Sequence, residues 1–242
     1  MSDSFSKNML TIEKISASYG QIRILHDISM EVLKGETAVL VGPNGAGKTT
    51  LLKVISGALR PNSGMILFDN QRIDGKASHE VAEMGISLVP EGGRIFPEFT
   101  VFENLRVGSY CQRARNRLRE NIDEVFGLFP ILENRRSQVA GSLSGGERQM
   151  LAIARSLMSQ PKLIMFDEPS SGLAPKIVVD VFEFIKKIKE RGYSILLVEQ
   201  NVKKSIQLTD HTHLIESGRL QFVGSREDFI RNPQIKKAYL GI

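Results

Sequence analysis

The octapeptide Gly42-Pro43-Asn44-Gly45-Ala46-Gly47-Lys48-Thr49 constrains this chain more than any other feature. It satisfies the pattern G-x-x-x-x-G-K-[ST] at every fixed position. The apolar run Thr37–Val41 precedes it directly, and the stretch from Lys48 through Thr50 to Gly57 reads as a helix. Strand, glycine loop and helix form the setting in which such a loop cradles phosphate. The glycines let backbone N–H groups turn inward and approach phosphate oxygens closely. Lys48 supplies a charge to the β- and γ-phosphates and Thr49 a hydroxyl to Mg²⁺. The helix directs its positive N-terminus at the same anion. The expected ligand is a nucleoside triphosphate, and the expected reaction is its hydrolysis.

Three further apolar runs share the character of Thr37–Val41. Gly85–Val89 ends in Pro90-Glu91, Leu163–Phe166 in Asp167-Glu168, and Ser194–Val198 in Glu199-Gln200. Continuous apolar runs fit central parallel strands covered on both faces. Ligands of open α/β sheets bind beyond the carboxyl ends of the strands, where these polar groups stand. Pro175 to Arg191 places Ile177, Val178, Val181, Phe182, Ile185 and Ile188 on a helical period, with Gly192 as its stop. Leu10–Ile15, Ile28–Val32 and Met65–Phe68 predict a small antiparallel layer beside the parallel core. A hairpin is expected around Ser217-Gly218, and a terminal helical segment from Ser225.

The region from about Val101 to Gln160 has no convincing strand and predicts a helical lobe inserted in the core. Its basic run, Arg113 to Arg119, reads either as a solvated helix face or as a phosphate-binding patch. Phe96, Phe99 and Phe102 either line a groove for a partner helix or form a local core for the lobe.

The chain has 242 residues, 32 Lys and Arg against 27 Asp and Glu, and a net charge of +5. That length suits one sizeable domain with an inserted lobe. We expect a single domain over 9–242, with core segments 9–93 and 160–242, a helical subdomain at about 94–159 and a flexible lead-in over 1–8. The basic excess is mild and does not predict a nucleic-acid partner. The single cysteine, Cys111, lies in a polar stretch; it excludes an internal disulfide and predicts a structural or incidental role. No apolar run approaches the roughly 18 residues of a membrane span.

Two more clusters carry chemistry. Asp167 can hold Mg²⁺ and Glu168 can polarise an attacking water; alone, such a pair could equally be turn chemistry. In Leu143-Ser144-Gly145-Gly146-Glu147, Ser144 and Glu147 have capping-box spacing. Ser144, Gly145 and Gly146 therefore start a helix whose N-terminus can hold another phosphate. A plain cap would not need both glycines, since each is a poor helix former.

In this order, the phosphate loop, the LSGGE segment and the apolar Asp-Glu pair resemble the ATP-binding subunits of ABC transporters, from Met9 onward. The resemblance implies a P-loop NTPase with a RecA-like parallel-sheet core, an N-terminal antiparallel layer and an inserted helical subdomain. It implies ATP and Mg²⁺ as ligands, with Gly42 to Thr50 on the phosphates and Thr49, Glu91 and Asp167 near the metal. Lys48, Glu168 and Gln200 would be catalytic, and Tyr19 would stack on adenine or else be a strand-edge core residue. Ser144, Gly145, Gly146 and Glu147 would serve the ATP of a second, head-to-tail ATP-binding subunit. Ser170 to Ala174 matches the loop that contacts the opposite half-site.

Glu91 stands where most members have Gln, Gln200 where most have a switch His, and Ala174 where most have Asp. Gln200 can donate to a phosphate but cannot shuttle a proton near neutral pH. Pro90-Glu91-Gly92, Asp167-Glu168-Pro169-Ser170, Val198-Glu199-Gln200-Asn201 and the C-terminal Lys237-Ala238-Tyr239-Leu240-Gly241 are similar to the LivF-type subunits of branched-chain amino-acid importers. Gly93 departs from the basic residue frequent there. The subfamily implies permease partners, a paralogous second ATPase (with a homodimer possible in isolation), an indirect solute-binding protein and a peripheral place on the cytoplasmic face of the inner membrane. Related urea or amide importers and lipopolysaccharide-type exporters are the alternative systems. A P-loop GTPase is disfavoured because no Asn-Lys-x-Asp guanine reader is present.

Overall fold

Alternating inward and outward side chains on buried parallel strands organise the architecture, seen in a computed structural model that describes residues 7–240 (Leu240 by its backbone only). The strands are β1 (Asn8–Tyr19), β2 (Ile22–Leu33), β3 (Thr37–Val41), β4 (Ser63–Phe68), β5 (Gln71–Arg72), β6 (Ile86–Val89), β7 (Leu163–Asp167), β8 (Ser194–Glu199), β9 (His211–Glu216) and β10 (Arg219–Ser225). The helices of the core are α1 (Lys48–Ile55) and α2 (Ser78–Met84), then, beyond the lobe, α8 (Pro175–Glu190), α9 (Val202–Ser205) and α10 (Arg226–Arg231). The lobe holds α3 (Val101–Gly108), α4 (Gln112–Arg115), α5 (Leu118–Leu128), α6 (Pro130–Asn134) and α7 (Gly145–Leu157).

The six-stranded sheet has the order β10-β9-β3-β8-β7-β6, with β10 antiparallel to β9 and the other neighbours parallel. Val39 and Val41, Ile164 and Phe166, and Ile195 and Leu197 face a core shared with α5, α7 and α8. Ala38 and Leu40, Leu163 and Met165, and Leu196 and Val198 face a second core, built with α1 and the antiparallel sheet. Both faces are dry, which is why these runs are continuous in apolar character. The antiparallel sheet, β2-β1-β4-β5, is the expected N-terminal layer and extends each predicted strand.

Most of the expected elements are present, with shifted ends. The helix after the phosphate loop closes at Ile55, because Gly57 adopts φ +73° and leaves the helix. Lys7 and Asn8 of the expected lead-in belong to the folded antiparallel layer. Asn8 is buried in β1 with its amide donating to Thr11 Oγ1 at 3.2 Å, and Lys7 O accepts from Lys34 N at 2.9 Å. The remainder of that lead-in, residues 1–6, and Gly241 of the C-terminal pattern lie outside the described residues. Among the described residues no helix is long and apolar enough to cross a membrane.

In the lobe, Arg115, Arg117 and Arg119 of the basic run are exposed, as a solvated face would be, whereas its first member is engaged. Arg113 donates to the carbonyls of Ala82, Glu83, Ser159 and Gln160, tying α4 to α2 and to the end of α7. Arg117 pairs with Glu120 at 2.6 Å, an exposed contact worth little. Cys111 is buried in spite of its polar neighbours, and burial raises its thiol pKa, so its role is packing. The three phenylalanines divide between the two readings. Phe102 packs on the lobe core beneath Arg136, whereas Phe96 and Phe99 are exposed with ring centroids 5.4 Å apart.

Candidate active site

The ends of β3, β6, β7 and β8 open on one cleft of about 470 Å³. Asn44, Gly45, Gly47, Lys48, Thr49 and Thr50 form one wall. Glu91, Glu168, Ser171 and Gln200 form the other, and Ile24 of β2 closes an end. Four chain segments far apart in sequence thus deliver their polar ends to one place, as parallel strands of one sheet must.

The loop is built differently at each glycine. Gly45 has φ +78° and open space around it, so its backbone can be approached closely. Gly47 has φ +106°, and a Cβ there would lie 2.8 Å from Leu25 Cδ2. Gly42 is a packing glycine, since a Cβ would meet the carbonyl of Ile215 on β9. Gly42→Ala should therefore lower stability by about 3 kcal/mol, read as a lower urea midpoint. An unchanged midpoint would show that β9 can move away at no cost. Gly218, in the β9–β10 turn, donates its N–H to Ala46 O at 2.9 Å and holds the loop from behind.

Lys48 is 4% exposed, and its ammonium donates to Gly42 O at 2.9 Å and Pro43 O at 3.0 Å. The same Nζ pairs with Glu168 Oε1 at 3.0 Å. Thr49 Oγ1 donates to Asp167 Oδ1 at 3.0 Å, and Ser171 Oγ donates to Glu91 Oε1 at 3.0 Å. Burial pushes the Asp167 carboxyl above the ordinary carboxylate range. Glu168 and Glu91 push the same way, while the Thr49 hydroxyl and Lys48 oppose them. A bound divalent cation would reverse that balance by stabilising the charged carboxylate. Among the described residues no cluster of three or more His, Cys, Asp or Glu side chains could hold a metal alone. One hydroxyl and one or two carboxylates suit Mg²⁺, which completes its shell with phosphate oxygens and water.

Glu168 occupies the left-handed region at φ 44°, an uncommon place for a residue with a side chain. Its N–H donates to Val198 O at 2.9 Å, and its carbonyl accepts from Ser171 N at 3.0 Å. Such backbone strain persists only where surrounding contacts enforce it, and it is concentrated at functional sites. Gln200 is exposed on the cleft wall. Tyr19 is 44% exposed at the end of β1, with Lys53 Nζ 5.5 Å from its ring centroid. It is therefore not a core tyrosine, though it does not line the cleft itself.

None of Ser144, Gly145, Gly146 and Glu147 lines the cleft. Ser144 caps α7, accepting from Glu147 N at 3.3 Å, and Glu147 returns a contact to Ser144 N at 2.8 Å. Glu147 also pairs with Arg135 at 2.8 Å, so its carboxylate is turned back on its own cap. The two glycines differ in purpose. Gly146 is buried, and a Cβ there would stand 2.5 Å from Ile177 Cγ2 of α8, so packing alone explains it. Gly145 and Ser144 are exposed, and they are the part of this helix start open to another molecule.

Residues 25–171 match the family of ABC transporters. The chain belongs to that family. This ABC cassette is 43% identical over 233 residues to BraG of Pseudomonas aeruginosa, a high-affinity branched-chain amino acid transport ATP-binding protein, covering 96% of this chain and 100% of BraG. It is 35% identical to a probable branched-chain amino acid transport ATP-binding protein LivF of Archaeoglobus fulgidus, over 97% of this chain and 99% of the relative. It is 33% identical to LptB of Haemophilus influenzae, a lipopolysaccharide export system ATP-binding protein, over 97% and 98%. The solved ADP conformation of an ABC-transporter cassette superposes with TM-score 0.83 at 28% identity, covering 97% of this chain and 99% of that one. These likenesses agree with the P-loop fold and its antiparallel N-terminal sheet.

Sequence reasoning missed Glu199. Its buried carboxylate accepts from Ser170 N at 3.1 Å, Gln200 N at 3.1 Å and Asn201 N at 3.3 Å. It joins the loops after β7 and β8, and burial still leaves its pKa raised. A charge ending the apolar run Ile195–Val198 was the available signal. Gly93, the departure from a basic residue, is buried at φ +56° against Gln149, where a long side chain has no room.

Proposed function

We propose that this cassette is the ATP-binding and ATP-hydrolysing subunit of an importer for branched-chain amino acids. One observation carries the ATPase reading: Lys48, the Thr49–Asp167 pair and Glu168 converge on a single phosphate-loop cleft. The whole-length likeness to BraG supports the solute class. The 33% likeness to LptB supports an exporter less strongly.

In this reading Gly42 to Thr50 hold the phosphates, and Thr49, Asp167 and Glu91 are the residues that would hold Mg²⁺. The metal neutralises charge on the β- and γ-phosphates when bound. Glu168 takes the proton of the attacking water, and Gln200 donates to the γ-phosphate. Tyr19 packs on the adenine face. Ser144, Gly145, Gly146 and Glu147 form the other half of a site in a second ATP-binding subunit, a paralogue in the cell. Permease subunits dock on the exposed Phe96–Phe99 pair, and the assembly sits on the cytoplasmic face of the membrane. A solute-binding protein contributes only through those permeases.

The test is reconstitution with candidate permeases and a second ATPase in vesicles, reading MgATP-dependent leucine uptake. Uptake of urea alone, or none, would remove the solute assignment. Phe96→Asp should cut uptake and permease co-purification roughly 30-fold, the value of one lost interface anchor, with an unchanged melting temperature. Full uptake by that variant would remove the docking assignment.

A further inference from the structure

At the end of β8, Glu199 carries a carboxylate into the interior, 2% exposed, with both oxygens on backbone N–H groups. The two oxygens are divided between two loops. Oε1 accepts from Ser170 N at 3.1 Å, in the loop after β7. Oε2 accepts from Gln200 N at 3.1 Å and Asn201 N at 3.3 Å, in the loop after β8. Stability does not account for this carboxylate. Burial outweighs its three donors and leaves its pKa raised, so folding disfavours the charged form. What a carboxylate offers here is an acceptor at each end, one for each loop, whereas a glutamine has an acceptor at one end only.

The turn that contains Glu168 has few ways to be fixed. Pro169 has no N–H, so Glu168, Ser170 and Ser171 supply the backbone donors over 168–171. Glu168 N–H goes to Val198 O at 2.9 Å, and Ser171 N–H closes the turn on Glu168 O at 3.0 Å. The remaining donor, Ser170 N–H, goes to the Glu199 side chain. Val198 and Glu199 are adjacent in β8, so the end of one strand grips the turn on both sides of Pro169. Glu168 is held there at φ 44°, a conformation that persists only where surrounding contacts enforce it.

We propose that Glu199 is a positioning residue for ATP hydrolysis: by binding the Ser170 N–H through Oε1, it fixes the turn that aims the Glu168 carboxylate at the attacking water. The inference rests on the reading of Glu168 as the base.

Glu199→Gln is the test. Its amide oxygen should stay with the two donors of Gln200 and Asn201, which sets an NH₂ group against the Ser170 N–H and releases the turn. Single-turnover hydrolysis, with the full chain in excess over MgATP, should slow about 10²-fold, the cost of misplacing a reacting group by roughly 1 Å. MgATP affinity, read with a fluorescent nucleotide, should stay within about twofold, because the phosphate loop and Lys48 are untouched. In a Glu168→Gln background the same substitution should slow hydrolysis by no more than about threefold, since no base is left to aim. Glu199→Asp is one methylene shorter and cannot span both loops. It should show the same split between rate and affinity, and it stands as the test if Glu199→Gln does not fold. A parallel loss of rate and affinity, or an undiminished further loss on top of Glu168→Gln, would make Glu199 a structural residue and overturn the proposal. Wild-type turnover in Glu199→Gln beside slow turnover in Glu168→Gln would remove this proposal alone. Wild-type turnover in Glu168→Gln would remove the base, and the proposal with it.

Discussion

Glu168→Gln is expected to bind MgATP with near-wild-type affinity and to hydrolyse it about 10²–10⁴-fold more slowly, the usual contribution of a general base. The amide keeps the length and shape of the side chain, and its oxygen can still accept from Lys48, 3.0 Å away in the wild-type protein. The backbone stays pinned by Val198 and Ser171. What is lost is the ability to take a proton, together with the negative charge that pairs with Lys48. The closed two-chain state, which hydrolysis would open, should then accumulate with MgATP and be visible as a dimer on sizing. Wild-type turnover in this variant would remove Glu168 as the base. The isolated wild-type chain should itself be a weak ATPase whose specific activity rises with protein concentration, because in the proposed reading Ser144 of another copy completes each site. Fast turnover by a demonstrated monomer would contradict that.

Lys48→Ala is expected to weaken MgATP binding about 10²-fold or more, as the loss of one partner from a buried charge pair costs about 2–5 kcal/mol. The ammonium is the counter-charge in a cleft that also contains Glu91 and Glu168, with Asp167 buried beside it. Removing it takes away the phosphate partner and leaves those carboxylates facing an incoming polyanion. Lys48→Arg should rescue poorly, since Nζ sits within 3.0 Å of two loop carbonyls and a planar guanidinium cannot reproduce that point contact. The measurement is a fluorescent-nucleotide titration with a melt as control. Retained affinity in a folded Lys48→Ala protein would mean that the backbone N–H groups and the α1 N-terminus carry the phosphates unaided.

Expectation and structure agree and part along a physical line. The phosphate loop, the four apolar runs, the helix from Pro175 and the Ser217-Gly218 turn were legible because each is specified within some ten residues by periodicity, glycine placement and capping. The Asp167-Glu168 pair and Glu91 were legible for a related reason: in a parallel sheet, whatever ends a strand arrives at the same edge.

Properties that depend on what stands opposite were not legible. Gly146 is small because Ile177 lies across from it, and Gly42 because Ile215 does. Arg113 is a clamp only because the ends of α2 and α7 present four carbonyls to it. Phe102 and Phe96 have the same chemistry, and only packing sends one inward and leaves the other exposed. The resting contact of Lys48 with Glu168 joins residues 120 positions apart (168 − 48), and the buried Glu199 bridge joins loops after two different strands. By itself, the sequence determined that this chain builds a phosphate-binding α/β core, because backbone conformation and burial pattern are written locally. Tertiary structure decided which glycines stay open and which serve packing, which carboxylate restrains the lysine, and which aromatics remain exposed. Those outcomes depend on distances between side chains that are remote in the chain, and only the folded core sets them.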